Sequence, residues 1–333
     1  MNTGSMLEVP PAGRSAQFAP GFGQRVLLTV DTEEEFDWRA PFRREGYGLS
    51  HVEAIPRFQA FCEGIGAHPV YLVDWPIVQD ARAVEVIGDA VRRGTAEVGV
   101  QLHPWVNPPF EEEVSVSNSF AGNLPPALEA AKFMLLRDAI EAAFGTAPLI
   151  YRAGRYGLGS NTAGLLKRAG IRVDTSVRSL FDYSSYDGPD YSNHPLTPYW
   201  VDPERQLLEL PVTSAYWGPL RSFGPLIHRV QRHVPTFFSG FSRLRLLERI
   251  ALTPEGVSAD EALRGVDLSI EAGLPVLVLS FHSPTLGPGH TPYATSEAQV
   301  EALYEWFEAV YARLAARGVR SCTVAEIIAA SGG

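Results

Sequence analysis

The 333-residue sequence has little positive charge, few cysteines and no long apolar run. Its 28 Lys and Arg residues stand against 38 Asp and Glu residues, which gives a formal net charge of -10. This balance argues against general binding to nucleic acid or to an anionic membrane, because both need a basic surface. No apolar run approaches the roughly 20 residues that cross a bilayer. The sequence therefore predicts neither nucleic-acid binding nor a membrane span.

The beginning of the sequence lacks the apolar segment of a signal peptide. Residues 1–20 contain three prolines and few charges, so we expect 1–24 to be a loose tail before a single domain at 25–330. The two cysteines, Cys62 and Cys322, lie in apolar patterns and are expected to be buried, reduced thiols. Reduced thiols fit a reducing compartment, and we expect the protein to be cytoplasmic.

Apolar segments typical of buried strands alternate with helical patterns along the chain, which indicates a parallel α/β fold. Seven or eight such units in about 300 residues predict a distorted, TIM-like (β/α)7 barrel more than an open sheet. No Gly-x-Gly-x-x-Gly turn follows the first strand to favour a dinucleotide fold. In the helix predicted at 127–144, Lys132 and Arg137 are expected on the exposed face. The predicted strands are 26–30, 70–73, 97–102, 149–152, 171–174, 207–210, 276–281 and 321–324, and the main helices are 51–64, 81–93, 127–144 and 297–317.

The segment at about 215–273 interrupts this rhythm and is too long for an ordinary connection. We expect a long helical insertion, with a helix over 226–250 broken near Pro235 and a shorter helix opened by Ser258 and Glu261. Residues 221–249 are rich in arginine and histidine in an otherwise acidic chain. This basic insertion is either a solvent-exposed segment without a specific role, or a lid or surface for a protein partner.

The segment 27–38 ends a predicted strand with Asp31, Glu33, Glu34, Glu35 and Asp37. An acidic run alone is more often a solvated loop. Because side chains alternate along a strand, however, the Asp31 and Glu33 carboxylates should lie on the same side, a few ångströms apart. Two carboxylates this close either separate their pKa values or share a cation.

Ionisable residues also follow several other predicted strands. His103 and His282 each stand at the end of an apolar strand, as do Arg152 and Asp174. Barrel enzymes build their active sites from the carboxyl ends of the strands. Two histidines at strand ends, opposite a pair of carboxylates, therefore predict a metal site or an acid/base site.

Five short segments occur in the order of the motifs of one known family. They are Thr-Val-Asp-Thr-Glu at 29–33, the segment opened by His103, Tyr-Arg-Ala-Gly-Arg-Tyr-Gly at 151–157, the region of Asp174, and Leu-Ser-Phe-His at 279–282. Together they resemble the motifs of the polysaccharide deacetylases, carbohydrate esterase family 4, and within it a divergent branch associated with exopolysaccharide gene clusters. The resemblance extends over about 27–328.

This resemblance implies a metal-dependent hydrolase that removes N- or O-linked acetyl groups from a glycan or glycan precursor. It implies that Asp31 is the general base and that Arg152 orients it. It further implies that His282 is the general acid, supported by Asp174. The substrate would be a carbohydrate, and the side chains expected to contact it are Trp75, Trp105, Arg155 and Tyr156, although each aromatic side chain could instead be part of the core.

The metal motif departs from the family pattern at two positions. Thr32 occupies the place of the usual metal-binding aspartate, and Asn107 occupies the place of the second histidine. The expected ligands of a divalent cation, zinc by the resemblance, are therefore Glu33, His103 and Asn107. Since an amide oxygen is a poor ligand for zinc, the metal site is either altered or lost.

Two other functions stay open at the level of the sequence. The first is a barrel without catalysis that binds a glycan or an assembly partner, for which Thr32 and Asn107 are the evidence. The second is a metal-free glycoside hydrolase that uses Asp31 or Glu33 together with Asp174. That enzyme would need the two carboxyl groups roughly 5 to 9.5 Å apart across a groove.

Overall fold

A computed structural model of the protein describes residues 5–224 and 246–332. Within these ranges, strands and helices alternate over most of the chain. The strands are β1 (Arg25–Thr32), β2 (Pro69–Val73), β3 (Glu97–Leu102), β4 (Ile150–Ala153), β5 (Val173–Asp174), β6 (Tyr199–Trp200), β7 (Leu208–Glu209), β8 (Ser214–Trp217), β9 (Glu248–Ala251), β10 (Val276–His282) and β11 (Arg320–Ser321). The helices are α1 (Ile55–Ile65), α2 (Trp75–Gln79), α3 (Ala81–Arg92), α4 (Pro126–Phe144), α5 (Thr162–Arg168), α6 (Ala259–Glu271), α7 (Glu297–Ala316) and α8 (Val324–Ser331).

The main sheet curls into a barrel. Its strand order is β10-β1-β2-β3-β4-β5-β7-β6, and β11 pairs with β1. All pairs in the first seven positions are parallel, and only β6 runs antiparallel to β7. The segment after β7 returns to the free edge of β10, where Thr213 N donates to Val278 O at 3.2 Å. The predicted (β/α)7 barrel is therefore confirmed.

Alternate residues of the strands fill two separate apolar cores. Leu27, Val70 and Ile150 belong to the smaller core inside the barrel, whereas their neighbours Val26 and Tyr71 belong to the larger core under the helices. This follows from the two-residue repeat of a strand. Every second residue after Leu27 therefore points into the barrel, up to the end of β1.

The N-terminal segment packs on the barrel from residue 5 onward, whereas the sequence predicts a loose tail at 1–24. Phe22 lies in the inner core beside residues of α8, and Met6 is 1% exposed. Trp200 N donates to Arg14 O at 2.8 Å. The sequence does not predict this packing, because prolines and glycines separate the apolar residues and no periodic pattern indicates that they are buried.

Two predicted elements are wrong in part. The strand predicted at 321–324 ends at Ser321, because Thr323 caps α8 through a capping box with Glu326. The helix predicted over 226–250 ends in a strand, β9, which pairs with β8; residues 226–245 lie outside the described residues. Pairing with a distant strand is a tertiary effect that local sequence patterns do not contain.

Other features of the sequence are found as expected. The Ser258 and Glu261 side chains form the predicted capping box at α6, which packs against β8 and α7. Cys62 and Cys322 are both buried and unpaired. Among residues 5–224 and 246–332, no helix is long and apolar enough to cross a membrane.

Lys132 lies on the buried side of α4, whereas the sequence predicts it on the exposed face. Its side chain is fully buried, and Nζ donates to Pro104 O at 3.0 Å and also to Asn107 O. The Glu112 carboxylate lies 3.1 Å from the same Nζ. Lys132 therefore fastens the loop after β3 to α4, which positions the neighbouring His103.

We expect Lys132→Met to lower the free energy of unfolding by about 3 kcal/mol, because it leaves two carbonyl groups and a buried carboxylate without their donor. Urea unfolding followed by circular dichroism measures the change. Arg92→Ala on the exposed face of α3, where the side chain is 68% exposed, is the control and should change little. Equal stability of Lys132→Met and the wild type would show that Lys132 does not fasten this loop.

Candidate active site

The carboxyl ends of the parallel strands surround a cavity of about 310 Å³. Asp31 and His282 lie side by side at its floor because β1 and β10 pair in register at these two residues. Asp31 continues the inward series of Leu27 and Thr29, as the alternation of β1 requires. The lining consists of Asp31, Glu33, Phe36, Asp37, Trp38, Ala40, Phe42, Gln101, His103, Trp105, Arg152, Ala153, Arg155, Tyr156, Arg178, Tyr183, His282 and Tyr293.

Arg152 holds the Asp31 carboxylate inside the barrel. The Arg152 side chain is 1% exposed, and one of its terminal nitrogens donates both to Asp31 Oδ1 and to Ser280 Oγ. The other terminal nitrogen donates to Thr29 Oγ1 at 2.9 Å. Because the guanidinium is buried, its hydrogen bond to Asp31 is a charge-assisted contact shielded from water.

His282 is held from behind by Glu255, a residue of the loop after β9. Nδ1 of His282 lies 2.7 Å from Glu255 Oε2, and the His282 backbone N donates to Glu255 Oε1 at 3.0 Å. Nε2 is left facing the cavity, 3.8 Å from Asp31 Oδ2. Burial lowers the pKa of His282, but the charges of Glu255, Glu33 and Asp31 outweigh burial and raise it to about 10. His282 Nε2 is therefore a candidate proton donor that faces the cavity.

Glu33 and His103 form a second pair in the same cavity. Glu33 Oε2 accepts from Gln101 Nε2 at 3.1 Å and lies 3.4 Å from His103 Nε2. Glu33 Oε1 and Gln101 Oε1 are buried and have no hydrogen-bond partner among the described residues. Burial raises the pKa of Glu33 to about 8. The Glu33 carboxyl group is thus short of partners for its oxygen atoms.

Glu34 and Asp74 orient His103. Glu34 Oε2 lies 2.9 Å from His103 Nδ1, while Glu34 Oε1 accepts from Trp105 Nε1 at 2.7 Å. Asp74 Oδ1 accepts from Ile77 N and caps α2, and burial raises its pKa well above the usual range. Glu34, Asp74 and His103 hold ligand atoms within 4.8 Å of one another. Since both acids are already occupied in hydrogen bonds, we interpret them as supports of the imidazole.

The donors around Glu33 fit a divalent cation. A carboxylate and an imidazole nitrogen are ordinary ligands of zinc, and the histidine is oriented from its other nitrogen, as ligating histidines usually are. A buried carboxylate oxygen without a partner is costly, and a cation would remove that cost. Glu33 and His103 would hold the cation, and Gln101 Oε1 is a further oxygen donor beside them.

Asn107 is not among the residues that line the cavity with this pair, although its Oδ1 is buried without a hydrogen-bond partner among the described residues. Its Nδ2 donates to Pro108 O at 2.7 Å and to Lys132 O at 3.0 Å. The Asn107 side chain thus fastens the loop after β3 to α4, next to the Lys132 contacts. The structure brings together two of the three predicted ligands, Glu33 and His103.

Asp174 also lies outside the cavity lining. It pairs in register with Glu209 of β7, and its carboxylate accepts from Ser176 N at 3.0 Å and Ser176 Oγ at 2.7 Å. Burial raises the pKa of both acids. The histidine support expected of Asp174 is provided by Glu255. The glycoside hydrolase alternative, which pairs Asp31 or Glu33 with Asp174 across a groove, loses its second carboxylate.

Three of the four predicted carbohydrate contacts line the cavity. Trp105 stacks on the His103 ring at 4.3 Å between centroids, and Arg155 and Tyr156 line the same cavity. Trp75 is half-buried at the start of α2 and packs against the outer core. Plain packing therefore accounts for Trp75.

Several residues of the site were missed by the sequence analysis. Glu255 follows the unpredicted strand β9, in a segment interpreted as part of a helical insertion. Gln101 stands two residues before His103, so the alternation of β3 could have placed its side chain beside the imidazole. Trp38 and Arg178 carry no local signal, because only the return of distant loops brings them to the cavity.

The fold of this chain is similar to that of solved polysaccharide deacetylases. A structure from Mycobacterium smegmatis, described as a "putative polysaccharide deacetylase", has a TM-score of 0.53 and 18% sequence identity, covering 97% of this chain and 94% of the other. At this identity the likeness establishes the fold alone.

Two further solved structures are similar at lower scores. A family 4 carbohydrate esterase from Streptomyces lividans in complex with acetate is 12% identical, with a TM-score of 0.44, and covers 91% of this chain and 94% of that chain. A carbohydrate esterase family 4 pseudoenzyme from Bacillus anthracis is 10% identical, with a TM-score of 0.46, and covers 92% and 66% of the two chains. No protein-family model and no curated protein sequence matches the chain.

We expect Glu255→Gln to lower the pKa of His282 by roughly one to three pH units, because it removes an adjacent opposite charge while burial remains. NMR titration of labelled histidines in the metal-free protein measures this. A raised pKa in the folded state stabilises the protein below the ordinary pKa of 6.5, and this stabilisation is lost as the pH rises toward about 10. Glu255→Gln should reduce it.

Glu204→Gln is the matched control, since Glu204 is exposed and far along the chain from the cavity residues. It removes the same charge and should leave the His282 titration unchanged. An unchanged His282 titration in Glu255→Gln would remove Glu255 from its role as the supporting acid.

Proposed function

We propose that the protein is a metal-dependent hydrolase that removes N- or O-linked acetyl groups from a glycan or glycan precursor. The observation that carries this proposal is the pairing of Asp31 and His282, 3.8 Å apart, each held by its own buried partner of opposite charge. Such a pair places a carboxylate beside an imidazole whose surroundings favour its charged form, a combination suited to the base and the acid in hydrolysis of an acyl bond.

Asp31 is the proposed general base. The Arg152 guanidinium forms a buried ion pair with the carboxylate and fixes Oδ1, which leaves Oδ2 toward the cavity and His282. In this position Asp31 can take a proton from a water molecule as the water attacks the acetyl carbonyl carbon. Proton transfer from a positioned base of this kind contributes roughly 100- to 10,000-fold to a rate.

His282 is the proposed general acid. Its Nδ1 is engaged with Glu255, so Nε2 carries the proton that faces the substrate. That proton passes to the leaving amine or alkoxide as the bond to the acetyl group breaks. Glu255 stabilises the charged imidazole before transfer and keeps the ring in one orientation.

Glu33 and His103 are the proposed ligands of a divalent cation, with zinc as the first candidate. A cation bound there would polarise the acetyl carbonyl and lower the pKa of water. Glu34 would hold the His103 ring so that Nε2 faces the cation. The substrate sugar would lie against the aromatic wall, where Trp38 and Tyr156 offer flat apolar surfaces.

A second candidate function rests on the position of Asn107. Its Nδ2 is engaged with Pro108 and Lys132 and the residue does not line the cavity, so in the cavity Glu33 and His103 stand without the third side chain expected from the motif. A barrel with a weakened metal site would bind a glycan without hydrolysing it. Metal content and turnover separate these two functions.

We expect Asp31→Asn to reduce acetate release by roughly 100- to 10,000-fold, because the amide keeps the oxygen that accepts from Arg152 but cannot take a proton. Acetate is measured enzymatically after incubation with N-acetylglucosamine oligomers and with O-acetylated xylan. Asp138→Asn on the exposed side of α4 is the control. Full activity of Asp31→Asn would exclude Asp31 as the base, and no acetate from any substrate with the wild type would favour the binding function.

We expect the purified protein to carry about one equivalent of a divalent metal. We expect His103→Ala to lose this metal, because the variant keeps only one of the two proposed side-chain ligands. Elemental analysis by mass spectrometry measures the metal. His68→Ala is the control, since among the described residues the His68 side chain forms a hydrogen bond with the Gly94 carbonyl alone. Metal retained by His103→Ala, or none in the wild type after soaking in zinc and manganese, would contradict the proposed site.

A further inference from the structure

Arg178 stands in the cavity wall with unused hydrogen-bonding capacity. Its guanidinium lies 3.9 Å from the centroid of the Phe181 ring and 5.4 Å from that of Tyr156. One terminal nitrogen donates to Tyr183 Oη at 3.3 Å. Nε is buried and has no hydrogen-bond partner among the described residues. A half-buried arginine is thus held mainly by aromatic rings.

No carboxylate of the described residues lies within 4.0 Å of the Arg178 guanidinium. The acids that line the same cavity have other surroundings: Asp31 pairs with Arg152, Glu33 lies beside His103, and Asp37 is exposed and accepts from Arg39 N. Residues 225–245 contain no Asp or Glu at all. The positive charge of Arg178 therefore has no carboxylate partner among the described residues, and residues 225–245 offer none.

Arg155 is a second arginine of the cavity that contacts aromatic rings and has no carboxylate partner among the described residues. Its guanidinium lies 4.2 Å from the Phe120 centroid and 5.1 Å from that of Phe42, and it donates to Ser119 Oγ. No ion pair within 4.0 Å involves it among the described residues. Arg155 has a φ of 55°, a left-handed conformation that is costly for a residue other than glycine. The backbone thus accepts strain while it presents this arginine to the cavity.

A third arginine adds to the positive charge behind the wall. The Arg249 guanidinium lies 3.6 Å from the centroid of the same Phe181 ring that contacts Arg178, and it donates to Leu180 O at 2.7 Å. Like charges close together and partly buried repel one another. An anion at the cavity wall would remove this repulsion and use the free donors.

We propose that Arg155 and Arg178 form a subsite for an anionic group of the substrate, a carboxylate or a phosphate. The inference rests on the proposed function and deepens it: the glycan would carry this group on the acetylated sugar or on a sugar next to it, because both arginines share one cavity with Asp31. Guanidinium groups bind carboxylate and phosphate through paired hydrogen bonds. A chain with a net charge of -10 repels anions elsewhere, so the subsite gives selectivity.

The test is a binding experiment that needs no turnover. Glucose, glucuronic acid and glucose 6-phosphate, none of which carries an acetyl group, are titrated into the full-length protein with a chelator present. Tryptophan fluorescence reports binding, because Trp38 and Trp105 line the cavity. We expect at least one charged sugar to bind about 10- to 100-fold more tightly than glucose, and the charged sugar that does so identifies carboxylate or phosphate as the preferred group.

Arg178→Gln and Arg155→Gln should each reduce this preference about tenfold or more, and Arg168→Gln, an exposed residue of α5, should preserve it. Equal binding of all three sugars by the wild type, or no binding, overturns the subsite. A preference that survives both Arg178→Gln and Arg155→Gln also overturns it; because the two lie on different loops, misfolding of one variant leaves the other decisive. Charge-dependent binding without acetate release would keep the subsite and reject the deacetylase.

Discussion

The buried contact between Arg152 and Asp31 is the constraint on which the candidate active site depends. A guanidinium inside a barrel is costly unless nearly all its donors are satisfied. Here they reach Asp31 and Thr29 on β1, Ser280 on β10, and the Thr175 carbonyl after β5. The ion pair therefore ties three parts of the sheet together around one carboxylate. The hydrogen bonds that satisfy the Arg152 guanidinium therefore also fix the position of the Asp31 carboxylate.

The two histidines of the cavity follow one design. Each has Nδ1 engaged with a buried carboxylate, Glu34 for His103 and Glu255 for His282. Each leaves Nε2 facing a second carboxylate, Glu33 at 3.4 Å and Asp31 at 3.8 Å. A carboxylate on Nδ1 fixes the orientation of the imidazole and the nitrogen that is free for chemistry. One histidine can thus serve as a ligand and the other as an acid, although both stand at strand ends.

The sequence predicts best what depends on the two-residue repeat of the strands. The barrel, the inward side chains of Asp31 and Glu33, and the strand-end positions of His103, Arg152 and His282 all follow from it. Glu255 could not be predicted, because it reaches His282 only after β8 and β9 pair across a long interval of sequence. Motif spacing put Asn107 in the metal site, but the structure engages its amide with α4. The helical pattern put Lys132 in solvent, but the loop after β3 covers it.

The arginines of the cavity lie in two kinds of environment, which differ in whether a carboxylate pairs with the guanidinium. Arg152 forms a buried ion pair with Asp31, the proposed base. Arg155 and Arg178, three and 26 positions further along the chain, contact aromatic rings and have no carboxylate within 4.0 Å among the described residues. Aromatic faces hold a cation in place while taking up less of its hydrogen-bonding capacity than a carboxylate does. The charge of Arg152 is therefore neutralised within the protein, whereas the proposed anion subsite uses the charges of Arg155 and Arg178, which have no such partner among the described residues.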